Sequence, residues 1–314
     1  MTRVAAVDLG TNSTRLLVAD VVDGHITPVV QRLQITRLGE GVDERRRLLP
    51  LPIARVRNCL STYRGELEQL GAERTLLVAT SAVRDAENGE AFLGEIEWSY
   101  GFSTRLLSGR EEAELAFRGA TLERTLTGAT LVLDIGGGST ELIVGDSTGL
   151  ISLTSLDIGS VRLTERFLHL DPPSPTELDA CAAAVRAELP AVRVEAAVGV
   201  AGSITTIAAL DLGLSEYDRE RVHGHRIRLA GVAHQLDRLA ALPLAERSRI
   251  QALEPERAPV IVAGALILRE TLAHLGLDEI EASEHDLLYA AALEAAELPE
   301  EAEGDAPPGA YTCC

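Results

Sequence analysis

Asp8-Leu-Gly-Thr-Asn-Ser-Thr-Arg-Leu-Leu-Val-Ala-Asp20 returns 126 residues later as Asp134-Ile-Gly-Gly-Gly-Ser-Thr-Glu-Leu-Ile-Val-Gly-Asp146, with seven of thirteen positions identical and no gap. Each copy follows a short apolar run (Val4–Val7; Leu131–Leu133) and leads into another (Leu16–Val22; Leu142–Val144), the pattern of strand, tight turn, strand. Asp, Gly, Ser and Thr are common turn residues, so two unrelated hairpins can look alike. Seven ungapped matches favour duplication over coincidence. The duplication predicts two similar domains, each opening on a hairpin whose turn carries hydroxyls or glycines, with the turns facing one another across an interdomain cleft.

Outward from the repeats, Ile53–Leu70 reads as an amphipathic helix, Thr75–Ala79 as a strand and Gly109–Ala120 as a second helix. After the second copy, Val161–His169 is predicted helical, Asp171–Pro175 a loop and Thr176–Leu189 a helix; Val194–Val200 reads as a buried strand entering the turn Gly199-Val-Ala-Gly-Ser203. Ala230 to Ala296 reads as mostly helical. The mixture gives an α/β protein, with domains over 1–121 and 122–300 and an acidic, flexible tail over 301–314.

The length of 314 residues suits two cores, and 46% hydrophobic residues supply them. All 29 basic residues are Arg, against 48 acidic ones, for a net charge of −19. The absence of Lys excludes a Walker-type phosphate lysine, a Schiff base and a catalytic lysine. The acidity argues against nucleic acid or an anionic membrane as a partner, and makes a polyanionic substrate depend on a local gathering of Arg. No apolar run is long enough for a membrane span or signal peptide, so a cytoplasmic location is expected. Cys59 and Cys181 are isolated and Cys313-Cys314 ends the tail, which is neither a disulfide framework nor metal-ligand spacing.

A turn of Gly, Thr, Asn and Ser after a buried strand presents backbone N–H groups and hydroxyls in one direction, which suits phosphate oxygens. The candidates are Gly10, Thr11, Asn12 and Ser13 in the first copy, and Gly136, Gly137, Gly138, Ser139 and Thr140 in the second. Carboxylates at the ends of these turns would repel phosphate unless a divalent cation lay between, and hard oxygen ligands select Mg²⁺ or Mn²⁺. Asp8, Asp134 and Glu141 are therefore metal candidates; turn capping by Asp8 and Asp134 is the competing explanation. Glu111 and Glu112 open a helix, where the dipole alone would account for both, yet the helix immediately precedes the second domain and could bring a general base to the cleft. Arg84 could grip a phosphate or sit on a solvated loop beside Asp85. His223 and His225 flank Gly224 on one face of a strand-like stretch, without a recognisable third ligand.

Six ordered stretches carry a resemblance that spans nearly the whole chain: Asp8–Arg15, Ala79–Asp85, Leu107–Ala113, Asp134–Glu141, Gly159–Glu165 and Gly199–Ser203. They resemble the exopolyphosphatase and guanosine-pentaphosphate phosphohydrolase family of the actin-like superfamily. The resemblance implies two actin-like (ribonuclease H-like) domains around a phosphate-binding cleft, Mg²⁺ or Mn²⁺, and a homodimer as an option. It implies Glu112 as the base for the attacking water, with Asp134, Gly136 and Glu141 as the functional residues of the Gly-rich turn. It also implies inorganic polyphosphate as substrate, losing its terminal phosphate. Guanosine pentaphosphate is the alternative substrate; a weakly catalytic sensor of phosphate-rich nucleotides and a kinase are further readings. This chain is expected to lack room for the additional helical domain that many members of the family carry. It departs from the family in the segment Ser283-Glu-His-Asp-Leu-Leu-Tyr-Ala290, and in a Lys-free composition that puts long-chain processivity in question.

Overall fold

The structure, a computed structural model, describes residues 1–299 apart from the side chain of Asp43. The chain groups into two compact units, Met1–Gly119 with the segment from Leu287 on, and Ala120–Asp286. The expected tail over 301–314, with Cys313-Cys314, lies outside the described residues.

The first unit runs β1 (Thr2–Leu9), β2 (Ser13–Val22), β3 (His25–Ile35), α1 (Val42–Arg45), α2 (Pro50–Leu70), β4 (Arg74–Ala79), α3 (Ser81–Arg84), α4 (Gly89–Tyr100), β5 (Ser103–Leu106) and α5 (Gly109–Ala120). Its sheet has the order β3-β2-β1-β4-β5. β1 to β3 pair antiparallel, and β4 and β5 continue parallel to β1. β1 is central, so Val4-Ala5-Ala6-Val7 is apolar without alternation because both faces are covered. Ala5, Val7, Leu16 and Val18 meet Val56, Leu60, Phe92 and Ile96 of α2 and α4. Pro50 opens α2, and Gly71, in the left-handed region at φ 70°, closes it with its amide on the Leu67 and Glu68 carbonyls.

The second unit runs β6 (Thr130–Ile135), β7 (Thr140–Asp146), β8 (Gly149–Leu156), α6 (Ser160–Phe167), α7 (Pro175–Glu188), β9 (Ala196–Val200), α8 (Ala201–Asp211), α9 (Arg219–Val222), β10 (Arg226–Arg228), α10 (Leu229–Ala240), α11 (Leu244–Arg247), α12 (Ile261–Leu275) and β11 (Glu279–Ala282). Its order is β10-β11-β9-β6-β7-β8. The five strands β8, β7, β6, β9 and β11 repeat the order and directions of the first sheet, and β10 adds an antiparallel edge. The repetition reaches the irregularities. The register of β2 on β3 shifts between Val18 and Ala19, and that of β7 on β8 between Val144 and Gly145, the same 126-residue offset. Each unit has the strand order and directions of the actin-like, ribonuclease H-like fold. α12, apolar throughout Ile261–Leu268, runs through the middle of this unit's core with α7, α8 and α10 around it.

The second unit ends at Asp286 rather than at the expected 300, because α13 (Leu287–Glu297) belongs to the first. Leu287, Leu288, Ala291 and Ala295 pack on the face of the first sheet formed by Val4, Ala6, Leu17 and Val78. Tyr289 accepts a hydrogen bond from Gln31 on β3 at 2.8 Å, and Arg74 of β4 donates to the Ala296 carbonyl. The stretch expected as mostly helical also contains β11, four residues long.

Candidate active site

The two turns are built alike. In the first, the Gly10 amide donates to the Ser13 carbonyl at 3.0 Å; in the second, the Gly136 amide donates to the Ser139 carbonyl, also at 3.0 Å. Thr11 and Asn12 are exposed at one apex, Gly137 and Gly138 at the other. Each apex is braced by the segment returning from the third strand or the loop beyond it. Amides of Thr36 and Arg37 bond the Asn12 carbonyl, and the Gly39 amide bonds that of Thr11. In the second unit, Ser160 donates to the Gly136 carbonyl, and Val161 and Arg162 to that of Gly137. Gly159 is required for this approach, since a Cβ there would lie 2.4 Å from the Gly137 oxygen.

The carboxylates at the turns differ. Asp8 lies opposite Arg15 across β1 and β2, and its Oδ2 accepts from Arg15 Nε at 2.9 Å and Nη2 at 2.7 Å. At the equivalent register the second unit places Asp134 opposite Glu141. Directly opposed residues of an antiparallel pair project on the same face, so two carboxylates stand where the first unit has an ion pair. Glu141 also accepts from the Ser155 hydroxyl at 2.9 Å. The donor set Asp134 and Glu141 fits a hard divalent cation; Asp8, 5% exposed, already faces a guanidinium.

Thr140 departs from expectation. It is fully buried, and its hydroxyl donates to the Ile158 carbonyl. Its counterpart Thr14 is equally buried against Thr36, at 3.0 Å between hydroxyl oxygens. Both threonines follow the turn as inward-facing strand residues, so Thr140 secures the hairpin to the next segment instead of offering its hydroxyl to phosphate.

The neighbouring glutamates of α5 separate cleanly. Glu111 forms a capping box: its carboxylate takes the Ser108 amide at 2.9 Å and the Ser108 hydroxyl at 2.7 Å, while its own amide donates to that hydroxyl. Arg105 joins Glu111 to Glu294 of α13, at 2.9 and 2.8 Å. The Ser108 hydroxyl, the Arg105 guanidinium and the Ser108 amide hold the Glu111 carboxyl down at about 2. The Glu112 carboxylate meets Arg84. Its Oε2 lies 3.3 Å from Arg84 Nη1, which also donates to the Leu107 carbonyl at 2.8 Å. Arg84 therefore closes the short helix α3 rather than a solvated loop, with its head at Glu112. Ser81, at the start of the same helix, bonds the Thr11 hydroxyl at 2.7 Å. Thus Arg84, Glu112 and the first turn are tied to one local segment.

Two arginines beside the glycine-bearing turns carry no role in the sequence reading. Arg162 donates through Nε to the Gly138 carbonyl at 2.8 Å. Arg257 lies over Gly202, where a Cβ would come 1.5 Å from its Nη1, and Ala201 beside it holds φ 65°. His223 and His225 do not act as a pair: His225 Nε2 is 2.8 Å from Asp211, whereas His223 stacks on His285 with centroids 4.0 Å apart and Glu123 3.5 Å from its Nε2. Burial, then the neighbouring His223 and Arg124, push His285 down to about 3. His223 Nδ1 accepts the Glu284 amide, so the neutral ring carries its proton on Nε2, towards Glu123. These two partners of His223 were not recognisable in sequence because Glu123 lies 100 residues before it and His285 lies 62 residues after it. Among the described residues no helix is long and apolar enough to cross a membrane.

Duplicated actin-like units with hydroxyl- and glycine-bearing turns, opposed carboxylates and a helix-borne glutamate define a phosphate-handling protein of the actin-like class. The model of the Ppx/GppA phosphatase family matches residues 17–292, and the chain belongs to that family. It is 40% identical to exopolyphosphatase 2 of Mycobacterium tuberculosis, over 93% of this chain and 98% of that one. A guanosine-5'-triphosphate,3'-diphosphate pyrophosphatase of Vibrio vulnificus is 31% identical over 87% of this chain, which spans 55% of its length. The crystal structure of the Aquifex aeolicus Ppx/GppA family member has 32% sequence identity and a TM-score of 0.85, covering 94% of this chain and 98% of that one.

Proposed function

We propose that this chain is an exopolyphosphatase, a phosphoanhydride hydrolase that releases terminal orthophosphate from inorganic polyphosphate. The observation that carries the reading is the replacement of the Asp8–Arg15 pair by the opposed carboxylates Asp134 and Glu141. Like charges directly opposed on a sheet are unfavourable, and a bound cation removes the repulsion. The 40% identity to an exopolyphosphatase supports the choice of substrate.

In this reading each turn binds phosphate. Gly10, Thr11, Asn12 and Ser13, with Gly136, Gly137, Gly138 and Ser139, offer amides and hydroxyls to its oxygens. Asp134 and Glu141 would hold Mg²⁺ or Mn²⁺, which supplies charge neutralisation on the phosphate oxygens when bound. Glu112 takes a proton from the attacking water; a bond forms from water oxygen to terminal phosphorus, and the bridging P–O bond breaks towards the remaining chain. Arg84 orients the Glu112 carboxylate through a contact that is long and one-third exposed, hence weak enough to be traded for a phosphate oxygen. The proposed setting is cytoplasmic, with no nucleic acid or membrane as partner, and a homodimer as the proposed assembly.

The test is phosphate release from short and long polyphosphate, guanosine pentaphosphate and ATP, with Mg²⁺, Mn²⁺ or chelator, and with Glu112→Ala as control. Metal- and Glu112-dependent release from polyphosphate upholds the reading. Release only from guanosine pentaphosphate replaces it with the second reading, which the Vibrio vulnificus relative favours. Binding without release from any of them leaves a sensor.

A further inference from the structure

The sequence Asp43-Glu-Arg-Arg-Arg47 places three consecutive arginines in a chain that has no lysine and a net charge of −19. All three are exposed, and no described residue pairs with their side chains. Arg45 and Arg47 line a cavity of about 570 Å³ together with Leu48, Leu49, Arg57 and Asn88. Two of the acids nearby are already committed. Glu40 meets Arg55 at 2.6 Å, and Glu95 meets Arg57 through two bonds of 2.7 Å. Glu44 does not line the cavity. The 21-residue helix α2 starts at this rim, at Pro50, with no acidic residue in its first turn. Its positive end is therefore uncompensated by a local carboxylate.

Both walls of the cavity lead back to the first phosphate turn. One is the segment that leaves Asn12: Arg37 donates its amide to the Asn12 carbonyl at 2.9 Å, Gly39 to that of Thr11 at 2.8 Å, and α1 follows at once. The other begins at Ser81, bonded to Thr11, and ends at Asn88. The two walls are stitched together beside the arginines. The Glu87 amide donates to the Arg46 carbonyl at 2.8 Å, and the Asn88 side chain bonds both the amide and carbonyl of Leu48. Arg46 itself takes φ 52°, so the arginine run is held at a tight bend rather than left to drift.

We propose that the cavity beside Arg45 and Arg47 is a second holding site for a polyphosphate chain, taking phosphates that extend beyond the Thr11–Asn12 turn. It rests on the hydrolase reading for the identity of the ligand. The site has the chemistry of repeated anionic groups: two unpaired guanidiniums, each able to take a phosphate bidentately, and a helix amino end. A long phosphate chain can engage both the turn and this cavity at once, so the site favours long inorganic polyphosphate over tripolyphosphate or a guanosine nucleotide. It also supplies the local Arg gathering that an acidic protein needs to retain a polyanion.

The experiment compares the full chain with Arg45→Gln/Arg47→Gln, both exposed positions outside the catalytic machinery, after thermal melts show equal folding. Long-chain polyphosphate and tripolyphosphate are titrated onto both proteins in the turnover-deficient Glu112→Gln background, and KM is measured in the active background. The expected result is weaker long-chain binding and a long-chain KM raised roughly fivefold or more. Tripolyphosphate binding and kcat should stay unchanged, and long-chain affinity should lose part of its salt sensitivity. Unchanged long-chain affinity, or equal weakening for both lengths, overturns the proposal. If the wild type releases no phosphate from polyphosphate, the hydrolase reading falls, and the binding arm still decides for or against the holding site.

Discussion

Glu141 stands opposite Asp134 on adjacent strands, at the register where the first unit sets Arg15 opposite Asp8. Duplication preserved the hairpin, the turn bond and even the strand irregularity, and changed the sign of one charge. The difference makes the two turns chemically unequal: at one the carboxylate faces a guanidinium across the strands, and at the other it faces a second carboxylate.

Glu141→Gln should stabilise the metal-free protein, by up to about 1 kcal/mol, because a cross-strand repulsion is removed while the Ser155 contact is retained. The same change should abolish metal-dependent phosphate release. Thermal melts with chelator and with excess Mg²⁺ check both, since added metal should raise the melting temperature of the wild type and not of the variant.

Glu112→Gln should reduce kcat by about two to four orders of magnitude with an unaltered melting temperature. Glu111→Gln should do the reverse, lowering the melting temperature while the rate per folded molecule is kept. Paired kinetics and melts on these adjacent positions separate chemistry from capping within one helical turn.

The Glu111 carboxyl titrates at about 2 in the folded protein, below the ordinary glutamate value of 4.5. A lowered folded-state value means the stabilisation is present above pH 4.5 and is lost as pH falls towards 2. Glu177, held at about 2 first by the Ser174 amide in the capping box of α7, adds to the loss in the same window. Urea unfolding midpoints should fall between pH 4.5 and 3 in the wild type, and fall less steeply in Glu111→Gln/Glu177→Gln.

Gly159→Ala should destabilise the second unit by about 1–3 kcal/mol and cut activity, as the new methyl meets the Gly137 carbonyl. Thr140→Val, by contrast, should cost about 1 kcal/mol through its lost bond to Ile158 and leave KM and kcat alone. Chemical denaturation with steady-state kinetics distinguishes turn disruption from a lost structural bond.

The hairpins and the two-unit plan were legible because Val4–Val7 and Leu131–Leu133 are short, continuous apolar runs ahead of near-identical turns. β3 was not, since His25–Ile35 contains Pro28, lacks a clean alternation and is mostly exposed at the sheet edge. β11, only Glu-Ile-Glu-Ala, is hidden between long helices. In the site, the spacing Ser108-x-x-Glu111 held enough information to assign the cap, but not to place Arg84 against Glu112, 28 residues away. The inward turn of Thr140 depends on strand register, which a list of turn residues does not contain. The affiliation of α13 rests on a match between its apolar face and a sheet face laid down by Val4 and Ala6, nearly three hundred residues earlier.

That last feature sets an order of manufacture. On the ribosome the second unit is complete once Asp286 has emerged, whereas the first, begun earlier, still lacks the helix that covers Val4, Ala6, Leu17 and Val78. The half made first is finished last, and through the synthesis of some 170 further residues its apolar sheet face has only Leu107, Leu115 and Ala116 of the same unit to cover it.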